Sequence, residues 1–436
     1  MERAARRIVD KLRHHGHEAF FAGGSVRDLL LRRKPQDIDI ATSAVPEQVK
    51  RLFSRSSMIG ARYGVVQVRL YSHAYDVTTF RAEGPYLDGR HPSNVVFSSP
   101  EQDARRRDFT INGLFYDPVA ERVIDYVRGK ADIRSKIVRT IGRAEERFAE
   151  DKLRMLRAVR FACSLNFTIE PATWEAIREH AGEISLVSWE RVRDELLKLL
   201  TGPDSPRGLD LLHDSGLLKQ ILPEVEAMRG VAQPPDYHPE GDVYAHTRLA
   251  LGLLRRPSAE LAVATLLHDV GKPPTYSLEE RIRFDGHVEV GARMAAEVCR
   301  RLRLSNDQTE HVVDLVLHHL RFMHVKEMRE STLKRFLSKP NFRDHLELHR
   351  VDCLSSHCDL DGYRYCLEKL REFEREPAPR EPLISGDDLI GLGYEPGPIF
   401  KQILTAVEDM RLEGVVKTRE EALEQVRKLF PPSKVS

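Results

Sequence analysis

The sequence predicts an α+β protein, with a small mixed β-sheet and flanking helices first and mostly helices after about Ala144. Residues 19–22 form an apolar run that stops at a glycine pair, as a buried strand does before a turn. Residues 64–70 and 75–80 alternate and are rich in β-branched side chains, which favours two neighbouring strands. Residues 3–14 carry apolar side chains at helical spacing.

The bulk composition limits the class of protein. A chain of 436 residues predicts two to four domains, and 41% hydrophobic residues suffice for ordinary globular cores. Because 68 Lys and Arg balance 67 Asp and Glu, the net charge is +1, and general attraction to nucleic acid is not indicated. Contact with RNA would depend on local basic patches such as residues 105–107.

The cysteine pattern and the hydropathy predict a compartment. The five cysteines lack C-x-x-C spacing, which fits a reducing cytoplasm. The sequence has no apolar run of membrane-spanning length and no signal-peptide core. We therefore expect a cytoplasmic protein without membrane contact, and the sequence leaves its oligomeric state open.

The stretch at residues 20–42 predicts a nucleotide and metal site. On a strand, Asp37 and Asp39 would point to the same face, and such a carboxylate pair suits Mg²⁺. Gly23 and Gly24 would let backbone N–H groups approach a polyphosphate near a helix N-terminus, and Arg27 adds a positive charge. The acid pair alone could be two solvated surface carboxylates, but both halves in one short span favour the site.

Four ordered motifs resemble a known family. Residues 23–28 (GGSVRD) and 36–42 (QDIDIAT) are similar to the signature of class II nucleotidyltransferases of the DNA polymerase beta superfamily. These are the bacterial CCA-adding enzymes and poly(A) polymerases. The resemblance continues through residues 106–114 (RRDFTINGL) and 150–162 (EDKLRMLRAVRFA), and it reaches the C-terminal tail. It therefore covers essentially the whole chain.

The resemblance implies a domain organisation. A nucleotidyltransferase head is expected at residues 1–143, followed by a helical neck with a base-selecting motif at 144–202. The neck is expected to end near residue 202, where the amino-acid composition changes. An HD-type metal-binding helical domain would follow at 203–375, and a proline-rich linker would lead into the tail at 376–436. The tail would support tRNA contact or serve as a structural cap, with a turn at residues 391–398 before a helix.

Further residues of the head follow from the resemblance. Asp76 would be a third carboxylate for metal or for the proton of the attacking hydroxyl, although its position also fits a strand surface. Residues 83–99 would be the mobile loop that the family needs for the terminal A, which argues against an enzyme that adds only CC. Residues 127–141 are expected to form a short hairpin-like connection.

The RRD motif supplies candidate contacts to phosphate and sugar. Arg107 offers a cation, and Asp108 offers an acceptor for a ribose hydroxyl. Asn112, four residues on, would share a helical face with Asp108. The alternative is a solvated basic run.

Asp151 and Arg154 are the predicted base-selecting pair. On a helix they would face the same way, and they match the family's motif. Cytosine and adenine both present an amine donor beside a ring-nitrogen acceptor, so a carboxylate and a guanidinium could accept both bases and reject uracil and guanine. An ordinary intrahelical ion pair is the alternative. The resemblance adds Arg157 and Arg160 to the nucleotide site, with Arg191 and Glu195 as braces on a helix at residues 188–200.

Residues 266–273 read LLHDVGKP, with His246 upstream and Asp352 far downstream. This ordered set resembles the HD phosphohydrolase superfamily. That superfamily gathers His, His-Asp and Asp around a divalent metal. Imidazole and carboxylate ligands suit Ni²⁺, Mn²⁺, Co²⁺ or Fe²⁺. The alternative is a relic domain that binds metal only to stabilise its helices. The expected ligands are His246, His268, Asp269 and Asp352, with His287 and His318 for a second ion.

The sequence thus predicts a CTP(ATP):tRNA nucleotidyltransferase that builds or repairs the 3′-CCA end. Its partners would be CTP, ATP and the tRNA 3′ end, with Mg²⁺ held by Asp37 and Asp39, and Asp76 as third acid. The HD region would hydrolyse a damaged 3′ end that bears a phosphate or a 2′,3′-cyclic phosphate. The enzyme alternative is a poly(A) polymerase or an A-only tRNA enzyme. A silent RNA-binding protein is a third possibility, against which the acids count.

Overall fold

The computed structural model describes residues 1–58, 64–83, 95–375 and 382–431. The chain forms two compact units. One comprises Met1–Arg229, Arg256–Val263 and Glu297–Ser305, and the other comprises Gly230–Arg255, Ala264–Ala296 and Asn306–Ser436. The predicted α+β class is confirmed, because a mixed sheet forms early in the chain and helices dominate afterwards. The domain boundaries drawn from the sequence stay predictions.

A seven-stranded sheet forms the centre of the head. The strands of the head are β1 (Ala19–Ala22), β2 (Asp39–Thr42), β3 (Ser56–Met58), β4 (Val65–Leu70), β5 (His73–Thr79), β6 (Arg81–Glu83), β7 (Val95–Phe97), β8 (Leu114–Asp117) and β9 (Arg122–Asp125). The sheet order is β3-β4-β5-β2-β1-β8-β9, and β6 pairs separately with β7. β2 and β5 run parallel, whereas β1 is antiparallel to both β2 and β8. This arrangement sets Asp39 and Asp76 on neighbouring strands.

Helices and an aromatic cluster cover the sheet. Phe20, Phe80 and Phe115 are buried with ring centroids 5.9–6.2 Å apart, and they fix the strands against one another. The helices of the head are α1 (Glu2–His14), α2 (Gly24–Leu30), α3 (Pro46–Leu52), α4 (Pro100–Arg105) and α5 (Gly129–Ser135).

The hairpin-like connection predicted for residues 127–141 is wrong, because α5 occupies its centre. Asp125 accepts hydrogen bonds from the backbone N–H groups of Val127, Gly129 and Lys130, which satisfies donors at the start of this helix. A Cβ at Gly129 would lie 2.1 Å from the carbonyl oxygen of Thr110, so glycine permits the close approach.

The neck and the following segment are helical, with one short parallel pair of strands. β10 (Ile137–Val138) pairs with β11 (Thr168–Ile169). The helices are α6 (Ala144–Glu150), α7 (Leu153–Leu165), α8 (Pro171–His180), α9 (Trp189–Leu200), α10 (Ser205–Asp214), α11 (Leu217–Ile221) and α12 (Pro223–Glu226). α7 packs against α9 and α10, and it is buried along most of its length.

The remaining helices are α13 (Val243–Leu253), α14 (Ala259–Leu267), α15 (His287–Arg301), α16 (Asn306–His318), α17 (Glu330–Leu337), α18 (Phe342–Leu354), α19 (Asp361–Arg375), α20 (Gly386–Gly391), α21 (Pro398–Leu412) and α22 (Arg419–Leu429). The short strands β12 (Ser277–Leu278) and β13 (Ile282–Arg283) form a hairpin. α13 packs against α18, which brings His246 near Asp352. The tail helices share a core that includes Leu389, Ile403 and Val407.

Two predicted segments fall largely outside the described residues. The loop at 83–99 has its ends in β6 and β7, and residues 84–94 lie outside the described ranges. Within the linker at 374–382, residues 376–381 lie outside them as well. Among the described helices, none combines the length and apolar character needed to cross a lipid bilayer.

Candidate functional site

A cavity of about 900 Å³ opens in the head beside the paired residues Ala22 and Asp39 of β1 and β2. Five acids and several arginines line it. Of the residues predicted for the head site, those in the lining are Gly23, Gly24, Arg27, Asp37, Asp39, Asp76, Arg107, Asp108, Asn112, Asp151, Arg154 and Arg157.

The turn between β1 and α2 needs glycine for two reasons. Gly23 has a φ of +70°, which L side chains rarely adopt. A Cβ at this position would also meet the Arg107 guanidinium at 2.8 Å. The bare backbone therefore lets Arg107 approach the turn between the strand and the helix.

The carboxylates of Asp37, Asp39 and Asp76 meet in the cavity, although Asp37 and Asp39 do not share a strand as predicted. β2 begins at Asp39, so Asp37 lies two residues before the strand, and Asp76 lies on the parallel neighbour β5. Asp39 is exposed to the cavity but lies between the buried residues Ile38 and Ile40, so it is only partly removed from water. This partial burial, with repulsion from Asp37 and Asp76, raises the pKa of Asp39 to about 6, while Arg107 opposes the rise. A bound cation would relieve this repulsion, so the donor set fits Mg²⁺.

Asp103 is a residue that the sequence analysis missed. Its carboxylate is buried and accepts hydrogen bonds from Arg106 at 2.8 Å and from Arg107 at 3.0 Å. It therefore fixes two arginines of the cavity wall from behind. The spacing of three and four residues along α4 and its C-terminal end was a signal that could have identified it.

Asp108 holds two neighbouring side chains. Its Oδ2 accepts two hydrogen bonds from Arg157, at 2.6 and 2.8 Å. Its Oδ1 accepts from the Phe109 N–H and from the Asn112 amide at 3.1 Å. Burial alone would raise the pKa of Asp108, but Arg157 and these hydrogen bonds lower it to about 2. Because these contacts occupy about four acceptor positions, Asp108 supports Arg157 and Asn112 rather than offering a free acceptor.

The expected helical face for this pair is wrong. Phe109 is extended, and Asn112 ends a short 3₁₀ turn that starts at Thr110. The contact between Asp108 and Asn112 forms across that turn. Asn112 also accepts a hydrogen bond from Arg27 at 2.8 Å, so the turn links the RRD motif to α2.

Breaking the Asp108–Arg157 pair should destabilise the head. Asp108→Asn leaves Arg157 without its carboxylate partner. Arg157 keeps Glu195 at 3.6 Å and is partly exposed, so we expect a loss of about 2 kcal/mol, below the ~3–5 kcal/mol of a fully buried pair. The contribution is complete above the ordinary pKa of Asp and disappears as the pH falls towards 2. Urea unfolding near neutral pH would measure the loss.

Asp194→Asn is the matched control for this stability measurement. Asp194 pairs with Arg193 on the surface of the neighbouring helix α9, and its side chain is 54% exposed. Exposed pairs contribute little, so we expect a change within about 0.5 kcal/mol. Equal losses in the two variants would contradict the role given to the Asp108–Arg157 pair.

Asp151 and Arg154 both line the cavity, but they do not pair with each other. Asp151 is extended and ends α6, and α7 starts at Leu153, so the continuous helix expected here is wrong. Asp151 accepts two hydrogen bonds from Arg191, at 2.8 and 3.1 Å. Arg154 is buried and donates to Glu150 at 2.7 Å. An intrahelical Asp–Arg ion pair is therefore also wrong, and each side chain has its own support.

Arg160, predicted in the nucleotide site, is absent from the described lining of this cavity. Its guanidinium stacks over the Phe161 ring at 4.0 Å and pairs with the buried carboxylate of Glu195. Arg160 therefore braces α7 against α9. The role predicted for Glu195 as a brace agrees with this contact, since Glu195 also lies 3.6 Å from Arg157.

A second cluster of polar side chains lies in the other compact unit, and we call it the HD cluster. It consists of His246, His268, Asp269, His287, His319 and Asp352. His246 Nε2 lies 3.0 Å from Asp352 Oδ1 and 3.2 Å from His268 Nε2. Asp269 lies 3.3 Å from His268 and 3.8 Å from both His287 and His319.

Three of the four imidazoles of the HD cluster are held in the same way, by the main chain. The Nδ1 atoms of His268, His287 and His319 lie 2.7–2.8 Å from backbone carbonyl oxygens, so each donates its proton there. Their Nε2 electron pairs then face the cluster. In His287 and His319 the Nε2 atom is buried and has no hydrogen-bond partner among the described residues. Metal-binding histidines have this arrangement, so the donor set fits a divalent transition metal.

The surroundings of His246 are negatively charged, as expected of a site that binds cations. Burial would lower the pKa of this imidazole, but the carboxylates of Asp352 and Glu240 raise it to about 9. Lys272 lies 2.7 Å from Asp269 and supplies a second positive charge. The buried carboxylates thus attract cations, and a metal could replace the proton on His246.

The structure corrects the predicted second-ion ligand His318. His318 ends α16 and pairs with Asp314 at 3.0 Å, away from the HD cluster. His319, the next residue, starts a 3₁₀ turn and points its Nε2 towards Asp269. The other five predicted ligands lie in the cluster.

Comparisons with known proteins identify the domains in which the two candidate sites lie. Residues 19–139 match the poly A polymerase head domain, 166–229 match the probable RNA and SrmB-binding site of polymerase A, and 238–348 match the HD domain. The sheet and the acid-lined cavity thus define a protein with the head of poly A polymerases and an additional HD domain.

Individual relatives narrow this class. The CCA-adding enzyme of Geobacillus stearothermophilus is 46% identical over 211 residues, which are 48% of this chain and 52% of that enzyme. The CCA-adding enzyme of Lactobacillus johnsonii is 43% identical over 219 residues, which are 50% of this chain and 55% of that enzyme. The chain thus spans about half the length of these curated relatives. The crystal structure of the Bacillus stearothermophilus CCA-adding enzyme in complex with CTP matches 98% of both chains, with 30% identity and a TM-score of 0.74. The chain belongs to the family of the CCA-adding enzymes.

Proposed function

We propose that this protein is a CTP(ATP):tRNA nucleotidyltransferase that builds or repairs the 3′-CCA end without a nucleic-acid template. The observation that carries the proposal is one cavity in which Asp37, Asp39 and Asp76 meet arginines that are already fixed by buried carboxylates. The relative matched over 98% of both chains was crystallised in complex with CTP, and the two curated relatives described above are CCA-adding enzymes.

The acids would hold the catalytic cation. Asp37 and Asp39, with Asp76 as a third acid, would bind Mg²⁺ through their carboxylate oxygens. A bound Mg²⁺ supplies a lower pKa for the primer 3′-hydroxyl and stabilisation of charge at the α-phosphate. Arg107, fixed by Asp103, and the backbone at Gly23 would bind the triphosphate.

The network around Asp108 would orient the sugar. Asn112 and Arg157 are both held by Asp108, so their remaining hydrogen-bonding atoms are fixed before a nucleotide binds. Arg27 is held in turn by the Asn112 side chain and stacks over Phe161 at 5.2 Å. Such preorganisation lowers the cost of ordering side chains around the substrate.

Asp151 and Arg154 would select the base. The Asp151 carboxylate would accept from the exocyclic amine of cytosine or adenine, and the Arg154 guanidinium would donate to the ring nitrogen. Their separate supports, Arg191 and Glu150, keep both polar groups in place without a bond between them. Uracil and guanine would leave these groups unpaired, at a cost of roughly 1–3 kcal/mol each.

Arg154→Ala should weaken base choice. We expect the preference for CTP and ATP over UTP and GTP to fall by roughly tenfold or more, because one hydrogen bond of the pair is lost. Single-nucleotide incorporation with each of the four triphosphates would measure it. Arg143→Ala removes an arginine that is 73% exposed, and it should leave the preference unchanged. Equal preference in the Arg154 variant and the wild type would refute the assignment.

The overall activity can be tested on tRNA that ends at the discriminator base. With CTP alone we expect two additions, and with CTP and ATP together we expect completion of CCA. Long A tracts on unrelated RNA would support a poly(A) polymerase, and addition of A without C would support an A-only enzyme. No incorporation would support a silent RNA-binding protein.

A second candidate function is metal-dependent phosphohydrolysis in the HD cluster. It is favoured by the buried, unpartnered Nε2 atoms of His287 and His319 beside Asp269. The cluster would hold Ni²⁺, Mn²⁺, Co²⁺ or Fe²⁺, and such an ion supplies a water with a lowered pKa. The proposed substrate is a tRNA 3′ end blocked by a phosphate or a 2′,3′-cyclic phosphate. Hydrolysis of the blocking phosphate would free the 3′-hydroxyl that the head needs.

The cysteines support a reducing compartment for this enzyme. All five are free thiols, and Cys163, Cys299, Cys353 and Cys366 are buried. Burial raises the pKa of each of these four thiols to about 12, so they are inert. We therefore propose the cytoplasm as the location.

A further inference from the structure

The imidazoles of the HD cluster differ in what supports them. His268, His287 and His319 each donate their Nδ1 proton to the main chain. His246 instead faces a side chain, because its Nδ1 lies 2.7 Å from Oε1 of Glu240. Ser355 Oγ is a weaker second neighbour at 3.3 Å. The orientation of His246 therefore depends on the segment that precedes α13.

Glu240 is itself held by a second histidine. The Nδ1 of His238 lies 2.9 Å from the same Oε1 atom, so one carboxylate oxygen accepts from two imidazoles. The His238 ring also packs edge-on against the His246 ring, with centroids 5.0 Å apart. Both rings and the carboxylate thus form a compact triad directly behind the HD cluster.

The burial of Glu240 means that its negative charge must be compensated by neighbouring groups. Its side chain is only 6% exposed, and its Oε2 is buried with no hydrogen-bond partner among the described residues. A buried carboxylate is costly unless a cation or a hydrogen-bond donor compensates it. The compensating donors here are His238 and His246, and the other nitrogen of His246 points into the HD cluster.

We propose that Glu240, held by His238, is a positioning residue that fixes His246 for metal binding in the HD cluster. An imidazole can bind a metal through Nε2 only when the proton is on Nδ1, and an acceptor at Nδ1 stabilises that tautomer. A carboxylate acceptor also makes Nε2 a stronger ligand. The inference rests on the proposed metal binding of the HD cluster and assigns part of its affinity to residues outside the ligand set.

Metal titration of the full chain tests this role. Mn²⁺ or Ni²⁺ is added to metal-free wild type, Glu240→Ala and Glu240→Gln, and the affinity and stoichiometry are measured by calorimetry and by equilibrium dialysis. We expect Glu240→Ala to bind about 10–100-fold more weakly. Glu240→Gln keeps an acceptor oxygen without the charge, so its affinity should lie between those of the alanine variant and the wild type. His238→Phe keeps the ring and should cause a smaller loss in the same direction.

Two controls separate positioning from general damage. Glu327→Gln removes the charge from an exposed His–Glu pair, with His324, in the same compact unit, and its metal affinity should equal that of the wild type. The circular dichroism spectrum of the metal-free Glu240→Gln protein should match that of the wild type, although its melting temperature should fall because the amide removes the charge that pairs with His246. If Glu240→Ala fails to fold, the glutamine variant decides the outcome.

The outcomes are distinguishable from those of the proposed hydrolysis. The inference is overturned if both Glu240 variants bind the metal with wild-type affinity. It is also overturned if the variants bind one ion fewer and the remaining ions with unchanged affinity, because Glu240 would then be a metal ligand. Wild type that binds neither Mn²⁺ nor Ni²⁺ overturns it together with the metal site. Affinity that depends on Glu240, in a protein that hydrolyses no phosphoester, supports the positioning role and removes the hydrolase proposal alone.

Discussion

Asp39→Asn is expected to reduce nucleotide addition by about 10³-fold or more while tRNA binding changes less than about twofold. The variant removes one ligand charge from the group formed by Asp37, Asp39 and Asp76, and loss of cation-derived stabilisation of roughly 4 kcal/mol gives that factor. tRNA binding should persist because it does not use this carboxylate. Single-turnover extension at saturating Mg²⁺ and fluorescence anisotropy with labelled tRNA would measure the two effects.

Asp10→Asn provides the matched control for this experiment. Asp10 is an exposed acid on α1 of the same head. Its replacement should leave both extension and binding at the wild-type level. Near wild-type extension by the Asp39 variant would show that the acids do not hold the catalytic ion.

The same substitution should stabilise the metal-free protein. The folded state raises the pKa of Asp39 to about 6, above its ordinary value, so between these values the folded protein binds more protons than the unfolded chain. Stability therefore falls as the pH rises through this window, and the penalty is complete above about pH 6. In EDTA at pH 7.5 the variant should melt above the wild type, and the difference should disappear as the pH is lowered towards 4.

Asp269→Ala is expected to abolish metal binding in the HD cluster and with it any hydrolysis of a 2′,3′-cyclic nucleotide. Its carboxylate is the acid nearest to His268, His287 and His319, so its loss leaves the imidazoles without a central oxygen ligand. Addition of CCA should be unaffected, because the head cavity lies in the other compact unit. Metal content after dialysis and cleavage assays with Mn²⁺ or Ni²⁺ would measure the effect.

Asp307→Asn, an exposed acid at the start of α16, controls for the loss of a carboxylate in the same region. It should keep its metal and any hydrolytic activity. Wild type that binds metal but cleaves no cyclic or simple phosphoester would reject the hydrolase proposal. Wild-type metal content in the Asp269 variant would reject the ligand assignment.

The secondary structure of the head was predicted well where it depends on residues that are close together in the sequence. The alternation of residues 64–70 and 75–80 predicted neighbouring strands, and β4 and β5 form that antiparallel pair. The glycine pair after residues 19–22 predicted the turn that ends β1. Both signals are short-range, so they need no knowledge of the tertiary fold.

The errors arose where a tertiary contact or a helix end sets the geometry. The motif at residues 150–162 reads as one helix, but α6 ends at Glu150, Asp151 is extended and α7 begins at Leu153, and the motif carries no signal for this break. His318 and His319 are adjacent, and only the change from α16 to a 3₁₀ turn determines which ring faces Asp269. Arg160 matched the family motif, but its partner Glu195 is 35 residues away along the chain.

The backbone supports of the HD cluster have a consequence for how this site can be lost in evolution. A main-chain carbonyl remains after any amino-acid replacement, so His268, His287 and His319 retain their proton acceptors as sequences drift. The acceptor of His246 can be lost by substitution, because it is the side chain of Glu240. A single nucleotide change in one codon could therefore weaken the whole cluster while every ligand remains in place.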